Sequence, residues 1–207
     1  MKPYYQDEAV TIYHGDCREI LPDLPIVDLV LTDPPYGINF NSGWTGSNIQ
    51  GDSDTSLRDW LLTQILNIDA LIFGAAGEAK LPGAKSVLIW HRPGSGMGDL
   101  GFPWKPDYEL IHVFGTGFRS SYRGSSVIVC NWDTFRGDAL HPHQKPVELI
   151  GKLILNHPAQ TILDPFMGSG TTLRAAKDLN RQAIGIEIEE RYCEIAANRM
   201  SQMVMAL

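Results

Sequence analysis

A short turn, Asp33-Pro34-Pro35-Tyr36, directly follows a mostly apolar run at residues 26–31 that is long enough for a strand. Continuous apolar runs of this size are typical of strands buried on both faces of a parallel sheet. Pro34 must end the strand, because proline donates no ladder hydrogen bond and restricts the residue before it. The sequence therefore predicts a carboxylate, a rigid turn and an aromatic ring at the carboxyl end of a buried strand, where open α/β sheets bind ligands.

The chemistry that this turn suits is transfer to an exocyclic amine, a poor nucleophile because its lone pair is delocalised into the ring. Asp33 would accept one N–H, the Pro34 carbonyl would accept the other, and Tyr36 would stack on the ring. The lone pair would then point at an electrophile, so catalysis would rest on positioning and electrostatics without a covalent intermediate. The alternative is a plain turn that ends a strand, since Pro-Pro pairs also arise by chance.

A second pattern is the segment 164–172, DPFMGSGTT, a glycine turn between a predicted strand and a predicted helix. Glycines let a backbone approach its ligand, and a helix N-terminus favours a negative group. A phosphate loop is a poor match because no lysine precedes Thr171, and a dinucleotide loop is a poor match because the third glycine is absent. A nucleoside that bears a carboxylate fits better, with Glu187 at the end of the next strand placed to hold ribose hydroxyls. A tight turn without a ligand is the alternative.

Length and composition predict one α/β domain over residues 1–207, with alternating strands and helices as in a doubly wound sheet. Three widely spaced cysteines fit neither a disulfide framework nor a zinc site, which favours a reducing cytoplasm. His141 and His143 lack further ligands at metal spacing, so no metal is expected. No apolar run has the length of a membrane span, and the N-terminus lacks a signal-peptide core.

The whole chain resembles the amino-group DNA methyltransferases that use S-adenosylmethionine, in the circularly permuted motif order called the β class. The resemblance rests on the turn 33–36, on His141-x-x-Gln144-Lys145-Pro146, on the segment 164–172, and on Gly185-Ile186-Glu187. It covers nearly everything except residues 115–140. It implies a Rossmann-like sheet, mostly parallel with one antiparallel strand, which suits the alternating run at residues 108–114.

The resemblance also implies the residues of the site. Asp33, Pro34, Pro35 and Tyr36 would be catalytic. Asp16 would contact the adenine of the cofactor, although capping a short helix is its alternative role. Glu187 would hold the ribose, and Lys145 would lie near the methionine carboxylate. The other residues expected at the cofactor are Cys17, Asp33, Asp164, Phe166, Gly168, Ser169, Gly170, Thr171, Thr172 and Ile188. Tyr192 and Ile195 would then be core residues of the last helix.

Double-stranded DNA is the expected partner, although the net charge is −7. Residues 79–152 carry nine basic and six acidic side chains and are the candidate electropositive surface, an excess that chance also produces. In place of a full target-recognition region there is a short insertion at residues 115–140. The candidate DNA contacts are Asn39, Trp44, Arg92, Lys105, Arg119, Arg123 and Arg136. A homodimer that adds a second basic loop to one duplex is a further expectation.

The activity that the resemblance favours is methyl transfer to the N6 amine of adenine, because the catalytic turn begins with Asp33 rather than serine. Transfer to the N4 amine of cytosine uses the same amine chemistry and remains an alternative. A protein that binds the cofactor or DNA without catalysis is an alternative of a different class. The intact turn at residues 33–36 argues against that last interpretation.

Overall fold

The computed structural model describes residues 2–37, 54–93, 103–119, 124–131 and 144–202. Nine strands in these ranges form one sheet, in the spatial order β1-β2-β9-β8-β3-β4-β6-β5-β7. They are β1 (Tyr5–Gln6), β2 (Val10–His14), β3 (Leu29–Thr32), β4 (Asp69–Gly74), β5 (Ser86–His91), β6 (Tyr108–Phe114), β7 (Val127–Val129), β8 (Thr161–Asp164) and β9 (Gln182–Glu187).

The sheet is mostly parallel, as predicted. Strand β6 runs antiparallel to both of its neighbours, β4 and β5, which confirms the antiparallel strand predicted at residues 108–114. The two-residue strand β1 adds an antiparallel pairing at the edge next to β2. Strand β7 lies within the 115–140 insertion and pairs parallel with β5, so part of that insertion extends the sheet.

Five α-helices in the described ranges cover the two faces of this sheet. They are α1 (Cys17–Ile20), α2 (Ser56–Gln64), α3 (Val147–Leu155), α4 (Thr171–Asp178) and α5 (Glu190–Ser201). Successive side chains of a strand point to opposite faces. Leu29 and Leu31 of β3 accordingly join the core that contains the buried residues of α3, α4 and α5, and Val30 joins the core that contains those of α1 and α2. The result is the doubly wound, three-layer arrangement expected for alternating strands and helices.

The two central strands, β3 and β8, mark a topological switch point. After β8 the chain continues into α4 on one face, whereas after β3 it continues toward α2 on the other. Crossovers that leave from opposite faces open a crevice at the carboxyl ends of adjacent parallel strands, which is where ligands bind in such sheets. Strand β3 ends at Thr32, directly before Asp33 and Pro34, as the proline predicts.

The face of the last helix that packs into the core differs from the prediction. Cys193, Ala196 and Met200 are its buried side chains, whereas Tyr192 and Ile195 are only half-buried. Gly170 packs closely against the Ala196 side of the helix, because a Cβ on Gly170 would lie 3.0 Å from the Ala196 Cβ. Within the described parts of the chain, no helix has the length and apolar character needed to cross a membrane.

Candidate active site

The turn after β3 holds the Asp33 carboxylate by both of its oxygens. The Tyr36 hydroxyl donates to Oδ1, and the Lys145 Nζ donates to Oδ2 over 2.5 Å. Burial and the nearby Asp33 carboxylate raise the pKa of Tyr36 well above its usual range, so the phenol remains a donor. Two donors from different directions fix the plane of the Asp33 carboxylate.

Lys145 directly precedes Pro146 at the start of α3 and is buried, with 7% of its surface exposed. Besides Asp33, its Nζ lies 3.1 Å from Oε2 of Glu109, near the start of β6, and 5.1 Å from the centroid of the Phe73 ring. Burial by itself would lower the pKa of Lys145, but the Asp33 and Glu109 carboxylates outweigh burial and raise that pKa. Lys145 therefore stays charged between two carboxylates.

Glu187 ends β9, the strand next to β8. Its Oε2 accepts a hydrogen bond from Gly168 N over 3.0 Å, and its Oε1 accepts one from Glu189 N over 2.8 Å. Burial raises the pKa of Glu187, although these backbone donors oppose the effect. Each carboxylate oxygen has further acceptor capacity, so the carboxylate is oriented and can still accept hydroxyl donors.

Asp164 ends β8 and is 4% exposed. Its Oδ1 accepts hydrogen bonds from Thr32 Oγ1 over 2.7 Å and from Phe166 N over 3.1 Å. Burial raises the pKa of Asp164 to about 6, and the hydrogen bonds from Thr172, Thr32 and Phe166 limit the rise. These bonds connect the end of β3 to the glycine turn, so Asp164 holds these two segments in a fixed position relative to each other.

The glycine turn itself takes the left-handed backbone that its sequence predicts, with φ of 50° at Gly168 and 78° at Gly170. A Cβ on Gly168 would meet no atom within 4 Å, so the backbone there faces open space. The hydroxyls of the turn are buried against protein partners: Ser169 donates to Gln144 and Thr171 accepts from Arg199. Any ligand carboxylate at this turn would therefore depend mainly on backbone N–H groups of the first turn of α4.

The remaining cofactor candidates lie along the same edge. Asp16 follows β2 and caps α1 by accepting from Arg18 N over 2.8 Å, and the Arg18 side chain lowers its pKa. Cys17 is buried among apolar residues, and burial raises the pKa of its thiol to about 12. Phe166 is half-buried against the same core. Ile188 is 40% exposed. Both Asp16 oxygens also accept from the Arg18 guanidinium, so the structure shows the capping role, and contact with the cofactor adenine stays a prediction.

The candidate DNA contacts are divided between the two edges of the sheet. Arg92 follows β5 at the edge that carries Asp33, but its guanidinium is mostly buried, 3.4 Å from Glu109. Lys105 is exposed before β6, at the same edge. Arg119 follows the turn that Asp69, the first residue of β4, anchors, so Arg119 lies at the opposite edge. Asn39, Trp44, Arg123 and Arg136, like His141 and His143, lie outside the described residues.

The sequence does not indicate that two groups of polar residues are buried near the catalytic turn. Glu109 lies in an alternating strand, where an acidic residue ordinarily faces solvent, yet it is buried beside Lys145. Arg58, Glu78 and His112 form a second buried cluster, in which Arg58 pairs with Glu78 and His112 Nε2 lies 3.5 Å from Glu78 Oε2. Both groups depend on the order of the strands, which local patterns do not reveal.

Comparisons with known proteins identify the family of this chain. The family model named N6_N4_Mtase and described as DNA methylase matches residues 120–198. Type II methyltransferase M.BglII of Bacillus subtilis is 44% identical, over 92% of this chain and 68% of its own length. The crystal structure of an M1.HpyAVI-SAM complex has a TM-score of 0.68 and 26% identity, over 93% of this chain and 100% of that one.

The fold recurs in PvuII DNA methyltransferase, described as cytosine-N4-specific, with a TM-score of 0.75 and 18% identity over 99% of this chain and 91% of that one. A crevice at the switch point, with Asp33 directly after β3 and Glu187 at the end of β9, is the ligand-binding arrangement of an open α/β sheet. This chain belongs to the N6/N4 family of DNA methylases. It is a DNA methyltransferase that uses S-adenosylmethionine.

Proposed function

We propose that this enzyme methylates the N6 amine of adenine in double-stranded DNA, with Asp33 as the acceptor for the target amine. The observation that carries the proposal is the Asp33 carboxylate, held by Tyr36 on one oxygen and by Lys145 on the other. An ionised carboxylate has about four lone-pair sites, so two of them remain for an N–H group. Asp33 as the first residue of the turn supports adenine over cytosine.

The residues around the glycine turn fit S-adenosylmethionine. Glu187 presents an oriented carboxylate that suits ribose hydroxyls, and the open space beside Gly168 admits a ligand close to the backbone. The first N–H groups of α4 suit a carboxylate, because they lack partners within the helix and carry the positive end of its dipole. When bound, S-adenosylmethionine supplies an electrophilic methyl group on a sulfonium whose sulfur keeps the bonding electron pair.

The protein's own contribution is to expose the nitrogen lone pair. Asp33 accepts one N–H, the Pro34 carbonyl accepts the other, and the nitrogen becomes pyramidal. Its lone pair forms the new bond to the methyl carbon, and one N–H proton is released to water to complete the reaction. The positive charge that develops on the nitrogen faces the Asp33 carboxylate, so electrostatic stabilisation is strongest in the transition state.

The target base must leave the duplex, because pairing and stacking bury its amine. Tyr36, half-buried beside Asp33, is the proposed stacking partner. Of the candidate DNA contacts at the same edge of the sheet, Lys105 is exposed, whereas the Arg92 guanidinium is mostly buried against Glu109. An overall charge of −7 repels the duplex, so we expect weak DNA binding that depends strongly on salt and a short recognition sequence.

The deciding experiment is to methylate DNA with the purified protein, digest it to nucleosides and identify the modified base by mass spectrometry. N6-methyladenine is expected. N4-methylcytosine would assign the enzyme to cytosine, and no modified base would mean a protein without catalysis. Asp33→Ala is expected to slow transfer by about 10²- to 10³-fold and to leave cofactor affinity unchanged. The matched control is Asp23→Ala, which changes an exposed aspartate.

A further inference from the structure

Four charged side chains form a line of alternating sign beside the catalytic turn. Lys145 contacts Asp33 and Glu109 at 2.5 and 3.1 Å, and Arg92 contacts the other oxygen of Glu109 at 3.4 Å. They come from four separate segments: the turn after β3, the start of α3, the start of β6 and the residue after β5. Their formal charges cancel, so the line can be buried without a net charge.

Burial of these charges costs solvation free energy. Lys145 and Glu109 are 7% and 9% exposed, and an ammonium taken from water loses solvation that only well-placed partners replace. Lys145 has two carboxylate partners and a Phe73 ring face at 5.1 Å. A lysine held by one carboxylate has freedom to swing. Between two fixed carboxylates its Nζ occupies a defined point.

We propose that Glu109 is a positioning residue for methyl transfer, which holds Lys145 against Asp33 so that the Asp33 carboxylate faces the target amine. This inference rests on the proposed function. With Oδ1 fixed by Tyr36 and Oδ2 fixed by Lys145, the plane of the carboxylate is set before the base arrives. Glu109 touches neither reacting group and acts only through Lys145.

Because Lys145 is shared between two carboxylates, it competes less with the target amine for the oxygens of Asp33. A lysine devoted to Asp33 alone would offer all of its N–H donors to one carboxylate and would compete with the target amine. Glu109 attracts the Lys145 ammonium from the other side as an ion pair at 3.1 Å. The arrangement predicts that a lost Glu109 affects the rate of transfer rather than the binding of the cofactor, because neither partner of Lys145 belongs to the glycine turn.

The test compares Glu109→Gln, Lys145→Met and the double variant by single-turnover transfer of labelled methyl groups to DNA. Misplacement of a catalytic group by about 1 Å costs about 10²-fold in rate, and each single variant is expected to lose about that much. If Glu109 acts through Lys145, the double variant is no slower than the slower single variant. Calorimetry should show unchanged affinity for S-adenosylmethionine in Glu109→Gln.

Two further variants complete the design. Glu109→Asp keeps the charge on a shorter side chain and is expected to transfer faster than Glu109→Gln, which also provides the test if the glutamine variant does not fold. Glu148→Gln changes an exposed glutamate on α3, near Lys152, and is the matched control with wild-type rate. Melting temperatures of all variants, compared with their rates, separate loss of folded protein from loss of chemistry.

The outcomes that overturn the inference are distinct from those that overturn the proposed function. Additive losses in the double variant would mean that Glu109 acts without Lys145, and a wild-type rate in Glu109→Gln would mean that it positions nothing. Weakened cofactor binding in Lys145→Met, with an unchanged rate at saturating cofactor, would assign Lys145 to the cofactor instead. Failure of the wild-type protein to methylate DNA would instead overturn the proposed function.

Discussion

The Nζ of Lys145 lies 2.5 Å from Oδ2 of Asp33, although 112 positions separate the two residues in the chain. The pair joins the turn after β3 to the start of α3. Because Lys145 is buried, removal of Asp33 leaves a buried ammonium with one partner fewer, and removal of Lys145 leaves the buried Glu109 carboxylate without it. We therefore expect changes at this pair to alter both the rate of methyl transfer and the stability of the fold.

Tyr36→Phe separates the role of the hydroxyl from that of the ring. The variant keeps the ring but loses the donor to Asp33 Oδ1. A hydrogen bond to a charged group contributes about 1.5–3 kcal/mol, so the single-turnover rate is expected to fall roughly ten- to a hundredfold. When Tyr36→Phe binds DNA, the fluorescence of 2-aminopurine at the target position should still increase. With Tyr36→Ala, which lacks the ring, that increase should be smaller. Tyr192→Phe on α5 is the control, and a wild-type rate in Tyr36→Phe would show that the hydroxyl is not needed.

Glu187→Gln is expected to weaken the binding of S-adenosylmethionine. The variant retains an acceptor for Gly168 N or Glu189 N but removes the charge. Because a hydrogen bond to a charged group contributes about 1.5–3 kcal/mol, the dissociation constant measured by calorimetry should rise more than about tenfold. Glu194→Gln changes an exposed glutamate of α5 and should bind normally. Equal affinities in the two variants would contradict the ribose assignment.

Asp164→Asn is expected to change how stability depends on pH. Burial raises the pKa of Asp164 from 3.8 to about 6. The folded protein therefore binds more protons than the unfolded chain between these values, and the contribution of Asp164 to the free energy of unfolding falls as the pH rises through them. A shift of about two units corresponds to roughly 3 kcal/mol.

The measurement is urea unfolding of wild type and Asp164→Asn at about pH 4 and about pH 7, on either side of the titration window. Asparagine does not ionise, so the stability of the variant relative to wild type should increase between the two pH values. Comparison with wild type removes the contributions of the other carboxylates, such as Asp7 and Asp69, whose pKa values are lowered. A constant difference between the two proteins would show that Asp164 does not titrate in this range.

Gly170→Ala and Gly77→Ala form a matched pair for the packing of the glycine turn. Both glycines have a positive φ, 78° and 79°, so both substitutions carry similar backbone strain. A Cβ at residue 77 meets no atom within 4 Å, whereas one at residue 170 lies 3.0 Å from the Ala196 Cβ. Overpacking costs about 1–3 kcal/mol, so Gly170→Ala should be destabilised by that much more in urea unfolding. Equal losses would show that α5 moves aside freely.

The sequence alone determines the class of fold and most of the residues at its active edge. Strand β3 ends where Pro34 removes a ladder donor, and the glycine turn adopts the positive φ that glycine permits. The alternating run at residues 108–114 becomes the antiparallel strand β6. These features depend on short stretches of chain, whose backbone preferences act within a few residues.

Only the tertiary structure decides what surrounds the catalytic carboxylate. Glu109 is buried because β6 inserts between β4 and β5, and Lys145 meets Asp33 because α3 packs into the same core as β3 and β4. The same long-range packing sets the phase of α5, where Ala196 rather than Tyr192 or Ile195 faces the core. Side-chain periodicity tells which residues share a face, but it does not tell which strands become neighbours. That order follows from the packing of all layers at once, and it creates the Asp33–Lys145–Glu109 contacts.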